Sequence, residues 1–598
     1  MPTRLSTRVT AAILLLWIAV YFWFIFRYSS NIPVGDDFEL FLNFWTKYQE
    51  APTLSSKLSL VFAQFVEHRL AYTRLIFWAL AETGRVDFRL ITLIGNLPLV
   101  GLFVLFYHLL CRTCHLPPYY LLPVAFLIFQ PCYSFDGAVW PAATLAYFPV
   151  SVSALVTVYL LSRQRRGAFL LALFFAVLAT FTFGNGQFVL LVAPLLLVWQ
   201  RRWSAVALWG AVAGLVLVGY YVGYELHPAR PNLFQNIVRY PVYVVLNGLV
   251  FLGGLAERDE HVSHVLSQTN GMSLLLGMGV TLTFGLLALL FLNAQVHPRR
   301  LRILNPLTRR TFVGQTALGP FWLCAVGFFV VSGAVFALAR TDSADIYAHI
   351  NRYRIHSVCA VLLSYSFVVV YGRQRRWVLV GFGAGSLLFA GLSYHYFTYL
   401  FDEGLRQMQT GLYNWNRHKH WVTYRNTAYW EEASKLICER FEKAAPPIYQ
   451  FPPSLFDTAR PAQTTVPLRI EALPVEPKQA PRYSLLNATL PGPYTQPADG
   501  VYLLLRSDQH RLLFNTRLVR NSLWQYIRSG HYYGTGFALE LSTTKLPAGT
   551  YTVSILRRQN GQNLLLPTTE TLAIAGDRSY SAVAVSDRAA TNAHIGSR

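Results

Sequence analysis

Residues 148–202 read FPVSVSALVTVYLLSRQRRGAFLLALFFAVLATFTFGNGQFVLLVAPLLLVWQRR. Long apolar runs alternate here with one basic and one polar turn. The runs are 148–162, 168–183 and 188–200, and the turns are 163–167 and 184–187. A water-soluble fold could not keep such runs apart, whereas a bilayer accommodates apolar segments of this kind. The stretch therefore predicts membrane helices joined by short turns.

The composition of the whole chain agrees with this interpretation. Of the 598 residues, 54% are hydrophobic and only 13% are charged, about half the charged fraction of a soluble globular protein. Apolar runs recur until about residue 400 and predict about 11 membrane spans, some with uncertain ends. The runs are 11–27, 90–110, 119–131, 148–162, 168–183, 188–200, 204–222, 272–292, 317–339, 356–371 and 377–396. We therefore expect a polytopic α-helical membrane protein, not a soluble enzyme with one or two cores.

The net charge of +22 could indicate a nucleic-acid partner, but the position of the basic residues argues against one. They lie in short turns that hold no Asp or Glu: Arg4 and Arg8; Arg112; Arg163, Arg165 and Arg166; Arg201 and Arg202; Arg299, Arg300, Arg302, Arg309 and Arg310; Arg373, Arg375 and Arg376. Basic turns of this kind face the cytoplasm. This pattern predicts a cytoplasmic N-terminus, a C-terminal domain on the extracytoplasmic side, and no nucleic-acid partner.

The first predicted outer loop, residues 28–89, opens with the adjacent carboxylates Asp36 and Asp37. Such a pair is costly near a membrane unless a cation or hydrogen bonds compensate it. It can act as a base for a hydroxyl, or hold a divalent cation, Mg²⁺ or Mn²⁺, against a phosphate. The alternative interpretation is a helix cap in front of residues 38–42, and the two roles can coexist.

Farther along this loop, residues 55–80 have the pattern of one amphipathic helix with an apolar side able to lie on the bilayer. It would carry Glu67, His68 and Arg69, and Arg69 could bind phosphate. The alternative is a salt-bridged polar face on an interfacial helix.

The last predicted outer loop of the membrane part, at about residues 340–355, is also rich in charge. It contains Arg340, Asp342, Asp345, Asn351, Arg352, Tyr353 and Arg354. Arginines on the outer face break the positive-inside trend, so a phosphate partner for Arg340, Arg352 and Arg354 is one explanation. Pairing with Asp342, Asp345 or lipid headgroups is the other.

Three smaller motifs have weaker implications. Asp136 and Trp140 offer a carboxylate and an aromatic platform for a sugar, although Trp at a membrane interface is ordinary. Residues 184–187 could hydrogen-bond a sugar but equally form a plain turn. Residues 111–115 spell the C-x-x-C-H haem motif, but we expect no haem because the segment lies in a cytoplasmic turn.

The composition changes after residue 396. Residues 397–499 combine a helical pattern with a Pro-rich stretch and are interpreted as an outer linker. Residues 500–577 alternate like a β-sandwich, with strands at about 501–505, 512–517, 537–541, 551–556 and 564–573. Residues 578–598 form a polar tail.

A membrane helix followed by a long outer loop that opens with an acidic pair resembles the C-type (GT-C) glycosyltransferase superfamily. The resemblance covers residues 1–396 and matches no single branch of the superfamily. It implies an enzyme, in a bacterial inner membrane, that takes sugar from a polyprenyl-phosphate carrier. Asp36 or Asp37 would then be the catalytic base, and Glu67, His68, Asn351 and Tyr353 would support the site.

The resulting hypothesis is a membrane glycosyltransferase that moves a sugar from a lipid-linked donor to a glycan, lipid or protein acceptor. The same arginines would also suit a non-catalytic transporter or assembly factor for lipid-linked envelope glycans. A third alternative is a pseudoenzyme whose β domain recruits other machinery. Few charges lie within the predicted spans, which favours the enzyme over a transporter with a polar path through the bilayer.

Overall fold

The structure is a computed structural model that describes residues 4–225, 233–257, 268–295, 304–313, 318–341, 343–344, 346, 351–422, 428–444, 448–474, 481–492, 494–543 and 546–574. The chain divides into two compact units. The first comprises Met1–Ser29 and Lys47–Thr398, and the second comprises Ser30–Thr46 and Tyr399–Arg598. The segment that contains Asp36 and Asp37 therefore belongs to the unit formed by the C-terminal part of the chain, a grouping that the sequence did not predict.

Within the described residues, nine helices are long and apolar enough to cross a membrane, which makes the chain an integral membrane protein. They are Thr7–Tyr28, Phe88–Thr113, Pro118–Ala138, Pro141–Ser162, Trp203–Tyr221, Gly271–Gln295, Gly319–Arg340, Arg354–Tyr371 and Arg375–His418. The expected count of about 11 spans is not confirmed. Two of the predicted runs form the shorter apolar helices Arg166–Thr180 and Gly184–Trp199, as does the segment Pro241–Ala256. The polar turn Gly184–Gln187 and Pro194 interrupt the apolar sequence there.

Other helical segments are shorter than 18 residues, and several of them are parts of the helices just described. The α-helices are Phe44–Glu50, Leu54–Val61, Ala71–Ala81, Ser134–Ala138, Leu233–Arg239, Asn305–Thr308, Ala428–Ala444 and Leu523–Ser529. The π-helices are Phe38–Asn43, His108–Thr113 and Arg309–Val313, and the 3₁₀ turns are Pro118–Leu121, Pro131–Tyr133, Gly184–Gln187, Gly254–Ala256 and Asn351–Tyr353.

The prediction of one amphipathic helix over residues 55–80 is wrong at its centre. The helix Leu54–Val61 ends there, and a small hairpin of β1 (Gln64–Phe65) and β2 (His68–Arg69) precedes the helix Ala71–Ala81. Val66 has a φ of 52°, a left-handed conformation that a helix cannot contain. Glu67 therefore lies in the hairpin turn, and His68 begins the strand that follows it.

Close helix packing and buried polar links stabilise the helices of the first unit. At Gly95, on the helix Phe88–Tyr107, an added Cβ would lie 2.2 Å from Oγ1 of Thr144, so only glycine permits this approach. The next residue, Asn96, accepts a hydrogen bond from the Tyr21 hydroxyl (2.8 Å) and donates to the carbonyl of Ala138 (2.9 Å). Small residues and interhelical hydrogen bonds are the usual means of association between helices in a membrane.

The second unit contains two β-sheets. The strands are β3 Arg460–Pro461, β4 Arg469–Leu473, β5 Arg482–Asn487, β6 Gly500–Arg506, β7 Arg511–Asn515, β8 Arg517–Arg520, β9 Tyr533–Ser542, β10 Gly549–Gln559 and β11 Gln562–Ile574. One sheet has the order β3-β11-β10-β6-β7 and the other β4-β5-β9-β8. The sheets thus include β3, β4 and β5 from the stretch that was predicted to be a linker. The predicted tail, residues 578–598, lies outside the described residues.

The five-stranded sheet is buried on both faces. Leu503 and Ile555 point into one core with Leu539 of the other sheet, whereas Tyr502 and Leu504 point into a second core. Tyr413, on the helix Arg375–His418, completes this second core. This helix is much longer than the predicted span at 377–396, and its C-terminal part belongs to the second unit.

A buried ion pair links this helix to the sheets. Nε of Arg406 lies 3.2 Å from Oδ2 of Asp402, and both side chains are almost fully buried. The Tyr533 hydroxyl donates to the same carboxylate oxygen (2.8 Å), and Nη1 of Arg406 donates to the carbonyl of Thr516 (2.7 Å). Because each charge has a charged partner and additional hydrogen bonds, its burial is compensated.

We expect Arg406→Met to destabilise the second unit strongly, because it leaves the Asp402 carboxylate buried without its ion-pair partner. Removing one partner of a buried pair costs about 3–5 kcal/mol. Thermal unfolding of the full-length protein in detergent, followed by limited proteolysis of the C-terminal part, measures the effect. The matched control is Arg482→Met, which removes an exposed pair with Glu540 and should cost less than about 1 kcal/mol. Equal unfolding temperatures for the two variants would contradict the role given to the buried pair.

Candidate functional site

In the first unit, a guanidinium group is surrounded by aromatic rings. The Cζ atom of Arg352 lies 5.5 Å from the ring centroid of Trp140, 5.9 Å from that of Tyr147 and 5.8 Å from that of Tyr353. These distances are within the range of cation–π attraction. Arg352 is half-buried, so the side chain is held by packing while part of it remains open to solvent. We call Arg352, Trp140, Tyr147 and Tyr353 the aromatic cage.

Local backbone geometry explains why these residues meet. Trp140 immediately precedes the helix Pro141–Ser162, and Tyr147 lies seven residues later, on the same helical face. The 3₁₀ turn Asn351–Tyr353 presents Arg352 from another segment. A Cβ at Gly137 would come within 3.1 Å of Cα of Arg352, so glycine at 137 is what allows the two backbones to approach.

His68 lies beside the cage. Its ring centroid is 4.1 Å from that of Phe183, which in turn is 4.5 Å from the ring of Tyr147. A Cβ at Gly184 would lie only 2.4 Å from Nδ1 of His68, so the imidazole packs directly on the backbone of the turn. The hairpin, the turn Gly184–Gln187 and the cage thus form one continuous cluster.

A chain of two hydrogen bonds, from Asn185 through His356, holds the backbone carbonyl of Tyr353. Nδ2 of Asn185 lies 2.8 Å from Nε2 of His356, and Nδ1 of His356 lies 3.2 Å from the carbonyl of Tyr353. Since an amide nitrogen only donates, Nε2 accepts and the His356 proton is assigned to Nδ1, which donates to the carbonyl. His356 is buried, and we interpret it as a positioning residue for the turn that carries Arg352.

Two of the arginines predicted to bind phosphate instead bind the backbone. The guanidinium of Arg69 donates through Nε, Nη1 and Nη2 to the carbonyls of Tyr220, Phe62 and Val222, each at 2.5 Å. Nη1 of Arg354 donates to the carbonyl of Cys132 at 2.7 Å, and its Cζ lies 4.8 Å from the Phe397 ring centroid. Both arginines are more than 90% buried. We therefore assign phosphate binding to neither of them.

The other predicted residues of this unit have varied positions. Arg340 is the exposed last residue of the helix Gly319–Arg340. Glu67 is half-buried, and its carbonyl accepts a hydrogen bond from the Tyr224 hydroxyl (3.0 Å). Asp136 is half-buried on the short helix that carries Gly137. Asn351 begins the 3₁₀ turn, whereas Asp342, Asp345 and the side chain of Asn351 lie outside the described part of the chain.

The acidic pair belongs to the second unit, and its two members differ in exposure. Asp37 is fully buried, and its Oδ2 accepts a hydrogen bond from the backbone amide of Val34 at 2.9 Å. Asp36 is partly exposed. The expected helix start is confirmed, because the π-helix Phe38–Asn43 begins directly after Asp37, but the Asp37 carboxylate does not cap it. The structure thus distinguishes two carboxylates that the sequence could not.

Contacts within the second unit hold the backbone around this pair. The Phe38 ring packs edge-to-face on Trp421, with centroids 5.2 Å apart. The Tyr449 hydroxyl donates to the carbonyl of Asn31 at 3.0 Å. Asp36 is therefore part of an anchored segment and not of a free loop.

The donor set does not fit the divalent-cation site that the sequence allowed. Among the described residues there is no group of three or more His, Cys, Asp and Glu side chains able to hold a metal ion. Asp37, one of the two expected ligands, is enclosed and bound to a backbone amide. Mg²⁺ needs an open octahedral shell of oxygens, so we derive no step through a metal.

Comparison of the chain with protein-family models, curated proteins and solved structures finds no match. Its function must therefore be inferred from the chemistry of these residues.

We expect Gly184→Ala to displace the His68 ring, because the new methyl group would overlap Nδ1. An overpacked site of this kind costs about 1–3 kcal/mol, so the apparent unfolding temperature in detergent should fall. The matched control is Gly210→Ala, on the helix Trp203–Tyr221, where an added Cβ meets no atom within 4 Å. That change should leave the unfolding temperature unchanged or raise it slightly. A Gly184→Ala protein as stable as the control would show that His68 is not confined.

Proposed function

We propose that the chain is a membrane glycosyltransferase that takes a sugar from a polyprenyl-phosphate carrier and transfers it to an acceptor hydroxyl. The observation that carries the proposal is the aromatic cage, a half-buried guanidinium enclosed by Trp140, Tyr147 and Tyr353. The cage combines the two groups needed to recognise a sugar phosphate: a fixed positive charge and flat aromatic surfaces.

The charge of the cage suits a phosphate for a specific reason. A guanidinium stays protonated at any physiological pH and offers planar, paired donors that match phosphate oxygens. The contacts with the three rings restrict the rotation of the guanidinium, and part of the half-buried side chain is accessible from solvent. Trp140, the partly exposed ring of the cage, provides an apolar platform of the kind that packs on the C–H face of a sugar ring. Tyr147 and Tyr353 are buried against Phe183 and Phe336, and they hold the guanidinium in place.

The position of the cage suits a lipid-linked donor. Trp140 and Tyr147 lie at the N-terminal end of an apolar helix long enough to cross a membrane, and Arg352 directly precedes another. A polyprenyl chain in the bilayer would bring its phosphate to the end of such helices. We assign this end to the extracytoplasmic face because the basic turns 163–167 and 373–376 lie at the opposite ends of the helices concerned. The assignment to a bacterial inner membrane rests on the resemblance to the C-type glycosyltransferases.

We assign the role of general base to Asp36. A base must reach the proton that it removes, and Asp36 is partly exposed whereas Asp37 is enclosed. The carboxylate of Asp36 would take the proton of the acceptor hydroxyl while the oxygen of that hydroxyl attacks the anomeric carbon. The bond between that carbon and the phosphate oxygen breaks, the lipid phosphate leaves with the electron pair, and the anomeric configuration inverts. Asp37 would hold the backbone at Val34 in place.

The test compares Asp36→Asn with Asp37→Asn, two changes of the same size in adjacent residues. Purified protein is incubated with a panel of labelled polyprenyl-phosphate sugars and acceptors, and sugar transfer is measured. We expect Asp36→Asn to lower kcat by about 10²–10⁴-fold, the usual contribution of a general base, without loss of donor binding. Asp37→Asn should keep most of the turnover, because the amide oxygen of Asn can still accept the hydrogen bond from Val34.

Two results would refute this assignment. Wild-type turnover in both variants would eliminate the acidic pair as the base, and loss of turnover in Asp37→Asn alone would transfer the role to Asp37. Donor binding without turnover by the wild-type protein across the panel would favour a carrier of lipid-linked glycans over an enzyme.

A second experiment tests the cage independently of turnover. We expect Arg352→Gln to weaken binding of polyprenyl phosphate by about 10–100-fold, because a hydrogen bond to a charged group contributes roughly 1.5–3 kcal/mol. Arg165→Gln, which alters an exposed arginine of a basic turn, is the matched control and should bind like the wild type. Binding is measured by the quenching of protein fluorescence in detergent. Equal affinities of the two variants would exclude Arg352 as the phosphate ligand.

A further inference from the structure

The helix Leu523–Ser529, between β8 and β9, contributes no buried residue to the fold. A helix of seven residues is not stable in water on its own. Here the ends are well defined: Ser522 and Gln525 form a reciprocal capping box, and Gly530 closes the helix with a φ of 70°. The sequence thus stabilises a helix whose side chains add nothing to either core of the second unit.

The exposed side chains of this helix are large and apolar. Trp524 is 67% exposed and Ile527 is 63% exposed, and Leu523 and Tyr526 are each 39% exposed. Ile527 lies four residues after Leu523 and three residues after Trp524, so the three side chains share one helical face. Apolar surface exposed to water is unfavourable relative to the same surface in an apolar environment. Such a face gains free energy when it leaves water.

The charge around the helix restricts what can cover this face. Residues 509–539 contain no Asp or Glu but include Arg511, Arg517, Arg520 and Arg528. In space, Arg517 is paired with Glu403, at 3.8 Å. Apolar and aromatic residues flanked by arginine are typical of helices that lie in the headgroup region of an anionic bilayer.

The position of the helix relative to the helix Arg375–His418 indicates the same partner. Cζ of Arg520, the last residue of β8, lies 4.9 Å from the ring centroid of Tyr399, and the Tyr399 amide donates to the Tyr532 hydroxyl at 3.1 Å. Tyr399 lies three residues beyond the apolar run 377–396 of that helix. Tyr at the end of an apolar run is typical of the membrane–water interface. The segment from β8 to β9 is thus fixed to its own unit at the residue where the long helix would leave the bilayer.

We propose that the helix Leu523–Ser529 inserts its apolar face into the surface of an anionic bilayer and anchors the β-sandwich there. Trp524 and Ile527 enter the boundary between headgroups and acyl chains, and Arg528 binds lipid phosphate. The anchor does not depend on any catalytic activity of the chain.

The test places a nitroxide label on the helix. Ile527→Cys is labelled in the full-length protein, which is reconstituted in nanodiscs of phosphatidylcholine with or without phosphatidylglycerol. Collision rates with oxygen, which concentrates in lipid, and with a water-soluble nickel chelate are then compared. We expect the ratio of the oxygen rate to the nickel rate to be several-fold higher than that of a label in water, and highest with phosphatidylglycerol.

The matched control is Leu436→Cys, because Leu436 is 67% exposed on the helix Ala428–Ala444 of the same unit. Its label should report water in both kinds of nanodisc. The six native cysteines are buried or half-buried, and labelling of the wild-type protein measures their background. In a further variant, Arg528→Gln, the effect of phosphatidylglycerol on the Ile527→Cys label should decrease.

Two outcomes would overturn the proposal. A label at 527 that resembles the one at 436 would show that the face remains in water. A label protected from both oxygen and nickel would show that protein, either a second copy of the chain or another partner, covers the face instead of lipid.

Discussion

The structure depends on one constraint: a backbone that crosses hydrocarbon must satisfy its own polar groups, so the apolar runs can only be helices. Irregular backbone, and with it most of the polar chemistry, is confined to the places where helices end. The aromatic cage follows this rule. Trp140 lies just before one membrane helix, Phe183 and Gly184 lie between two shorter ones, and Arg352 and Tyr353 lie just before another. A site formed from helix ends inherits the rigidity of the helices.

The same constraint explains which parts of the first unit could be predicted from the sequence. Apolar runs identify membrane helices because length and hydropathy suffice, and nine of the expected runs correspond to helices long enough to span. Arg352, Trp140, Tyr353 and His68 were each identified as candidates, but their convergence could not be predicted because no local pattern encodes contacts between distant segments. Tyr147 was missed, although its spacing from Trp140 places both on one helical face. Phe183 was not identified as a site residue, because it is the last residue of the apolar run 168–183.

The backbone contacts of Arg69 and Arg354, which were predicted to bind phosphate, have a physical reason. Irregular backbone near a membrane leaves carbonyl groups that need donors, and a guanidinium with several N–H groups satisfies them well. Arg69 does so for three carbonyls around the hairpin and Arg354 for that of Cys132. From the sequence alone, an arginine that binds the backbone and one that binds a ligand look identical. Arg352 differs from Arg69 and Arg354 in its partial exposure and in its contacts with three aromatic rings.

In the second unit, the sequence did not indicate which polar residues are buried. Alternation predicted the strands after residue 500, but β4 has mostly exposed side chains and Pro-rich neighbours, which obscured its place in a sheet. Asp402, Arg406 and Asn414 would suit the surface of a helix, yet all three are buried. Asp37 is a similar case, since a charged residue is enclosed in the segment held by Trp421 and Tyr449. Enclosing the Asp37 carboxylate fixes the backbone that carries the partly exposed Asp36, so the two adjacent carboxylates have different surroundings. The C-terminal unit is accordingly not an appendage: it provides the contacts that make one aspartate buried and leave the other partly exposed.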